Sequence, residues 1–320
     1  MIQLSEKKCS DTQTEVKVEW RVVLPEEAGQ RLDNFLQRVR GGLPKTRIYR
    51  AIRKGEVRVD KGRVKPDIRL EAGVCVRIPP LRVPEKAEAA GAAGWRSRLR
   101  AAIVREEATL LVINKPPGLA VHGGSGVNVG LIETLRAMYD TDRYLELVHR
   151  LDRDTSGLLL VARRASTLRS LHGLLRSNGV DKRYLCLVSG RWPAHLKRVD
   201  APLEKFALPS GERRVKVAAT GRQSLTTFRV VTRWPSMTLV EAKPVTGRTH
   251  QIRVHCQHAG FPILGDAKYA DDAADRLAEK LRLKRLFLHA ASLSFRLEEQ
   301  NYSLQAALPS ELQRLIDSAP

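Results

Sequence analysis

Apolar and polar positions fall into two patterned blocks, separated by a stretch without periodicity. In the first block, Trp20-Arg21-Val22-Val23-Leu24 alternates as a strand does, and Leu32, Phe35 and Leu36 then recur at helical spacing. Gly41-Gly42 and Pro44 break that helix. The next one buries Ile48, Ala51 and Ile52, carries Lys45, Arg47, Arg50, Arg53 and Lys54 around that stripe, and is ended by Gly55. Val57-Arg58-Val59 and Val74-Cys75-Val76-Arg77-Ile78 predict short strands. Residues 18–80 therefore predict a small α/β unit. Residues 1–17 are polar and mixed in charge, as expected of a disordered tail without a signal peptide. Residues 81–105 have the low hydrophobicity and small side chains of a linker, although the Ala-rich part also suits a short helix.

The second block, 106–320, is dominated by short apolar runs. Leu110–Ile113, Gly157–Ala162, Tyr184–Val188, Thr226–Val231 and Leu239–Ala242 read as strands. A helix is predicted from about Ser166 to Ser177, with Leu168, Leu171, Leu174 and Leu175 on one face, and another from about His250 to Ala259. Runs of strands with few helices between them predict an α+β domain on a mainly antiparallel sheet.

Charge changes the picture most. Lys and Arg number 56 against 35 Asp and Glu, a net charge of +21, which favours a polyanionic partner. The small unit contributes to it, with 15 basic and 8 acidic residues between Val18 and Pro80. A basic helical face in such a unit suits RNA. Membrane attachment is not expected, because no apolar run reaches spanning length. The four cysteines lie far apart without a Cys-x-x-Cys pair, which argues against a disulfide framework or a zinc site and for a cytoplasmic protein with reduced thiols.

Candidate chemistry centres on His149-Arg150-Leu151-Asp152-Arg153-Asp154-Thr155-Ser156-Gly157, a polar loop running into an apolar strand. Strand ends hold side chains in fixed geometry. Arg150 and Arg153 flank Asp152, and cation pairing stabilises a carboxylate. An isolated Asp in such a loop is more often a turn or capping group. Asp152 and Asp154, two apart, would share a face as a glycosidase pair does, but no sugar-binding groove is evident. His250, His255 and His258 do not make a metal site, since a five-residue separation does not put His250 and His255 on one helical face.

The nine-residue string resembles the active-site motif of the RluA-type family of RNA pseudouridine synthases, in which the Asp after His-Arg-Leu is essential. Three other segments resemble the family in the same order: Asn114-Lys115-Pro116-Pro117-Gly118, Lys182-Arg183-Tyr184-Leu185 and Gly247-Arg248-Thr249-His250-Gln251-Ile252-Arg253-Val254-His255. The resemblance implies that Asp152 is catalytic, that Tyr184 packs against the target base and backs Asp152, and that Arg253 is its ion-pair partner. Arg150 is expected as an RNA contact and Arg248 as an RNA or structural contact, and the Pro-Pro pair, which presets a rigid turn, as structural. Thr249 is positioned to cap the helix after it. In the small unit, Arg31-Leu32-Asp33-Asn34, Pro44-Lys45-Thr46-Arg47 and Lys54-Gly55-Glu56-Val57-Arg58-Val59 resemble the RNA-binding module named after a small-subunit ribosomal protein. That makes Lys45, Arg47, Arg50, Arg53 and Lys54 its expected RNA contacts.

His122-Gly123-Gly124-Ser125-Gly126, Leu145-Glu146-Leu147-Val148, Ser170-Leu171-His172 and Arg47-Ile48-Tyr49-Arg50 are closest to the branch acting on large-subunit ribosomal RNA. The family implies neither metal nor organic cofactor, and a monomer is expected. Two other readings remain: a sibling enzyme with another ribosomal RNA target, and an RNA-binding ribosome-assembly factor without catalysis. Intact Asp152, Tyr184 and Arg253 weigh against the second.

Overall fold

The computed structural model describes residues 18–40, 43, 45–81, 92–123, 130–139 and 144–318. The expected tail, the Gly41-Gly42 and Pro44 break, the side chain of Lys45 and Gly124–Gly126 lie outside them. The chain divides into two compact units, residues 1–87 and 88–320.

In the small unit, β1 (Glu19–Val22), α1 (Leu32–Val39), α2 (Lys45–Arg53), β2 (Arg58–Val59) and β3 (Cys75–Ile78) follow one another. The strands form an antiparallel sheet in the order β1-β3-β2. Leu32, Phe35 and Leu36 of α1 and Ile48, Ala51 and Ile52 of α2 meet Val76 and Ile78 of β3 in one core. The side chains of Arg47, Arg50 and Arg53 are thereby left outside. Glu27, fully buried, accepts from Arg21 and Arg38 and from the backbone of Leu24, which joins the first turn to α1.

The larger unit opens with α3 (Ala92–Ala101) and β4 (Ile103–Glu106). This corrects the expected linker: its second half is helix and strand, and Leu99 is fully buried against Leu111, Ile113 and Leu135. One buried leucine per helix is a weak sequence signal amid Ala, Gly and Arg. After β5 (Leu110–Lys115), α4 (Leu131–Met138) and β6 (Glu146–Leu147) comes β7 (Ser156–Ala162), then α5 (Ala165–Arg176) and β8 (Val180–Ser189). Short strands β9 (Arg198–Asp200), β10 (Leu203–Ala207) and β11 (Arg213–Val217) precede the long pair β12 (Leu225–Arg233) and β13 (Met237–Pro244). The chain ends with α6 (Gln251–His258), α7 (Asp272–Lys280), β14 (Leu288–Leu297), β15 (Gln300–Gln305) and α8 (Ser310–Asp317).

A ten-stranded sheet runs β4-β5-β7-β14-β8-β13-β12-β9, with β15 added to β14 and β6 to β7. Every pairing in it is antiparallel except β7 with β14. Every residue of β7 is buried because the sheet is covered on both faces there. Leu158 and Leu160 pack with Leu171 of α5, whereas Leu159 and Val161 pack with Leu131 and Leu135 of α4. Gly157 sits where β7 meets β14, at φ +109°, and a Cβ there would lie 2.3 Å from the Ala290 carbonyl oxygen. No side chain fits that approach, so the loop before β7 is held tight against the sheet's centre.

Candidate active site

The loop 149–155 is anchored at both ends. His149 Nε2 accepts from the Leu160 amide at 3.2 Å, tying the loop's start to β7. Burial, and then the charge of Lys182, push His149 down to about 4, so it is neutral at pH 7 and can keep that acceptor role. On the far side, Arg153 exchanges bonds with Gly118 in the Pro116-Pro117-Gly118 turn: Gly118 N donates to Arg153 O, and Arg153 Nε to Gly118 O. Beneath lies the fully buried Lys115, whose ammonium donates to the carbonyls of Pro116, Leu119 and Arg153. Three acceptors match its three protons. Burial pulls Lys115 down to about 7 against the opposing charges of Asp154 and Asp152. The opening motif thus has a structural part, bracing the loop that carries Asp152. Asp154 itself is exposed.

Asp152 projects into a cleft of about 610 Å³ with Tyr184 of β8, the end of β13, the 245–250 turn and α6 around it. That volume lies within the ~300–1,000 Å³ of ligand-binding clefts. Arg253, only 6% exposed, donates from Nη1 to Asp152 Oδ2 at 3.2 Å. Its other edge is gripped by Asp266, with Nε to Oδ2 at 2.7 Å and Nη2 to Oδ1 at 2.6 Å. Burial disfavours the guanidinium's charge, but the hydrogen bonds and charges of Asp266, followed by those of Asp152, outweigh it and raise its pKa. The Tyr269 ring lies under the guanidinium, 4.9 Å from centroid to Cζ. Asp266 also accepts from the Lys268 and Tyr269 amides. Gly265 before it adopts φ +73°, with no room for a Cβ beside the Arg285 carbonyl.

Helix α6 starts differently from expectation. Thr249 makes no cap; His250 holds the N-cap position in the left-handed region at φ +53°. The turn is instead built on Gln251, whose Oε1 accepts from Arg248 N and Thr246 Oγ1 and whose Nε2 donates to Leu225 O and Thr226 Oγ1. The whole of Gln251–Cys256 is buried, so Arg253 is not on an outer face. His250 Nε2 lies 3.9 Å from Asp152 Oδ2, and its Nδ1 lies 2.7 Å from the Tyr269 hydroxyl. Burial lowers His250 to about 4 even though Asp152 pulls the other way, leaving a neutral ring beside the carboxylate. His255 is buried among Ser224, Thr226 and Ala201, and His258 is exposed. The three histidines are therefore dispersed.

Of the residues singled out from sequence, Asp152, Tyr184, Arg253, Arg150 and Arg248 line one cleft. Arg150 and Arg248 are exposed, Arg248 donating to Gln223 O. Burial, and then the charge of Asp152, push the Tyr184 phenol well up, so it stays protonated. Tyr184 stands inside β8 rather than at its start. In the small unit, Arg47, Arg50 and Arg53 are exposed on α2, and Lys54 is exposed just after it. Sequence reasoning missed Asp266 as part of the site. The Gly265-Asp266 pair was its one signal.

The sequence profile of the RNA pseudouridylate synthase family matches residues 109–258, and that of the S4 domain matches residues 30–74. The chain is 51% identical over 303 residues to the ribosomal large subunit pseudouridine synthase C of Pasteurella multocida, covering 93% of each. It is 54% identical over 277 residues to the protein of the same name from Escherichia coli, covering 85% of this chain and 87% of that one. Among solved structures, human RNA pseudouridylate synthase domain containing 4 matches with TM-score 0.58 at 27% identity, over 71% of this chain and 95% of that one.

Proposed function

The chain belongs to the RNA pseudouridylate synthase family, and on that premise we propose that it isomerises specific uridines of large-subunit ribosomal RNA, with Asp152 as the catalytic carboxylate. The target class rests on the two relatives named for the ribosomal large subunit, which align with 85% or more of this chain. The role of Asp152 rests on one observation. A buried guanidinium, already held by Asp266, turns its remaining edge to Asp152 in the cleft.

The reaction breaks the N1–C1′ bond of uridine and forms a C5–C1′ bond. The proton lost from C5 balances the one gained at N1, so no oxidant, reductant or external energy is consumed. The carboxylate serves by either of two routes, attack on an electrophilic carbon or removal of a ribose proton. Both need it aimed and free of other donors, which the single bond from Arg253 allows. The base has to leave its stack to reach the cleft. Tyr184 provides an aromatic face beside the carboxylate for it, and its protonated phenol adds no second negative charge. The exposed Arg150, Arg176 and Arg248 around the cleft suit the flanking phosphates. In the S4 unit, Arg47, Arg50, Arg53 and Lys54 supply the sequence-independent part of RNA affinity.

The test is purified protein with a transcript of large-subunit ribosomal RNA, followed by mapping of pseudouridine. Wild type should modify discrete positions. Asp152→Asn should yield none while binding the transcript within about threefold of wild type. Turnover by the Asn variant would remove Asp152 from the central role, and tight binding without product by wild type would sink the enzymatic reading.

A further inference from the structure

The small unit carries an apolar patch that its core does not use. Among the described residues five large apolar side chains are exposed, and three of them, Val18 at 40%, Trp20 at 53% and Val22 at 54%, alternate along one edge of its sheet. The inward positions of β1, Glu19 and Arg21, are the less exposed ones, so the sheet's outer face bears the tryptophan. Trp20 pairs in register with Arg77 of β3, and Arg77 with Arg58 of β2. Directly paired residues present their side chains side by side on one face. Trp20, Arg77 and Arg58 therefore stand in one row across that face.

Neither arginine is matched to a carboxylate in that row. Arg58 donates to the carbonyls of Gly55 and Lys61, and Arg77 to that of Glu56. Asp60, at the same end, accepts from the Cys75 amide. Arg77 also belongs to a second feature, a groove of about 770 Å³ that it lines together with Arg47 and Arg50 of α2, with Lys54 just beyond that helix, and with Glu56, which pairs with Lys54 at 3.7 Å. One residue thus joins the basic groove on α2 to the tryptophan on the sheet. A cationic groove leading to an exposed aromatic ring is the arrangement that holds single-stranded nucleic acid, phosphates along the groove and a base on the ring. The net charge of +21, with Arg47, Arg50 and Arg77 lacking a carboxylate partner among the described residues of that groove, favours a polyanion over a protein on this face.

We propose that the outer face of the β1-β3-β2 sheet is a second RNA contact, where an unpaired nucleotide stacks on Trp20 while Arg77 and Arg58 meet its flanking phosphates. The site extends the basic face of α2 within the small unit. It rests on the reading of the chain as an enzyme of RNA.

The full-length protein tests it with a large-subunit ribosomal RNA transcript. Trp20→Ala should raise Kd roughly tenfold, as loss of a stacking aromatic does, while Trp20→Phe stays within about threefold. An exposed tryptophan contributes little to the core, so both variants should melt within a few degrees of wild type. RNA carrying 4-thiouridine should photocrosslink to Trp20, as read by mass spectrometry. Equal affinity of wild type and Trp20→Ala, or a change in sedimentation or melting without a change in RNA affinity, would overturn the proposal; the latter would show a face covered by protein. Wild type that binds no RNA would sink the RNA-enzyme reading and this site with it, whereas equal binding by Trp20→Ala removes only the site.

Discussion

Arg253 and Asp266 show how far a single residue's role depends on its neighbours. Asp266 is wholly buried and Arg253 nearly so, and both hydrogen bonds between them are at or below 2.7 Å. A buried pair of this kind is costly to break from one side, because the charge left behind has lost its solvent and its partner. Asp266→Asn keeps the shape and removes the charge. It should destabilise the fold by about 3 kcal/mol, the usual scale for such a break, as read by urea unfolding. Product formation should also fall more than tenfold, since Arg253 would no longer be held in place beside Asp152. Normal stability together with normal turnover would mean that the clamp is unnecessary. Asp152 and Arg253 could be paired from the motif resemblance despite being 101 residues apart. Asp266 could not, because a carboxylate thirteen residues beyond Arg253 carries no periodic signal of contact.

At the level of elements, the loop bearing Asp152 depends on a histidine that must stay neutral. His149 accepts from the Leu160 amide, and its pKa in the fold is about 4 against an ordinary 6.5. Between those values the unfolded chain binds a proton that the folded one refuses, so stability falls as pH drops from 6.5 toward 4. His250, also lowered to about 4, acts in the same direction, as do the buried His255 and His289. Unfolding free energy should therefore be nearly level in pH just above 6.5 as far as these histidines are concerned, and decline below it by roughly 1.4 kcal/mol per pH unit for each proton. In His149→Gln, whose amide oxygen can replace the acceptor, denaturant titrations across pH 4–7 should show about one proton less in that slope. An unchanged slope would place the acid sensitivity elsewhere. The α6 terminus shows the limit of local rules: Thr249 has the right residue type for a cap, yet Gln251, tied to β12, determines how the helix begins.

For the molecule as a whole, the positive charge is the property that acts at a distance. Arg47, Arg50 and Lys54 line one groove of the small unit, so the phosphates they meet should appear together in the salt dependence of RNA binding. In the full-length protein, replacing all three with Gln should flatten the slope of log Kd against log salt by about 2 to 3, at roughly 0.7–0.9 for each phosphate no longer neutralised. Kd values measured between about 50 and 200 mM salt give that slope directly. A slope equal to that of wild type would show that α2 does not meet the backbone. These side chains are exposed, so the comparison reads binding rather than folding.

Periodicity and composition by themselves determined the small α/β unit, the antiparallel character of the larger one, the course of β5, β7 and α5 to within a few residues, and the basic balance that points to RNA. These properties follow from local sterics and from which side chains water excludes, and both repeat along the chain. Motif resemblance added Asp152, Tyr184 and Arg253 as a group. Only the tertiary structure decided that residues 92–106 belong to the larger unit, that Gln251 and not Thr249 shapes the start of α6, and that Asp266 orients Arg253. It also joined Trp20 to Arg77 and Arg58. Each of those facts depends on strands or turns distant in sequence meeting at ångström range, and such meetings are set by packing, which no short stretch of sequence contains.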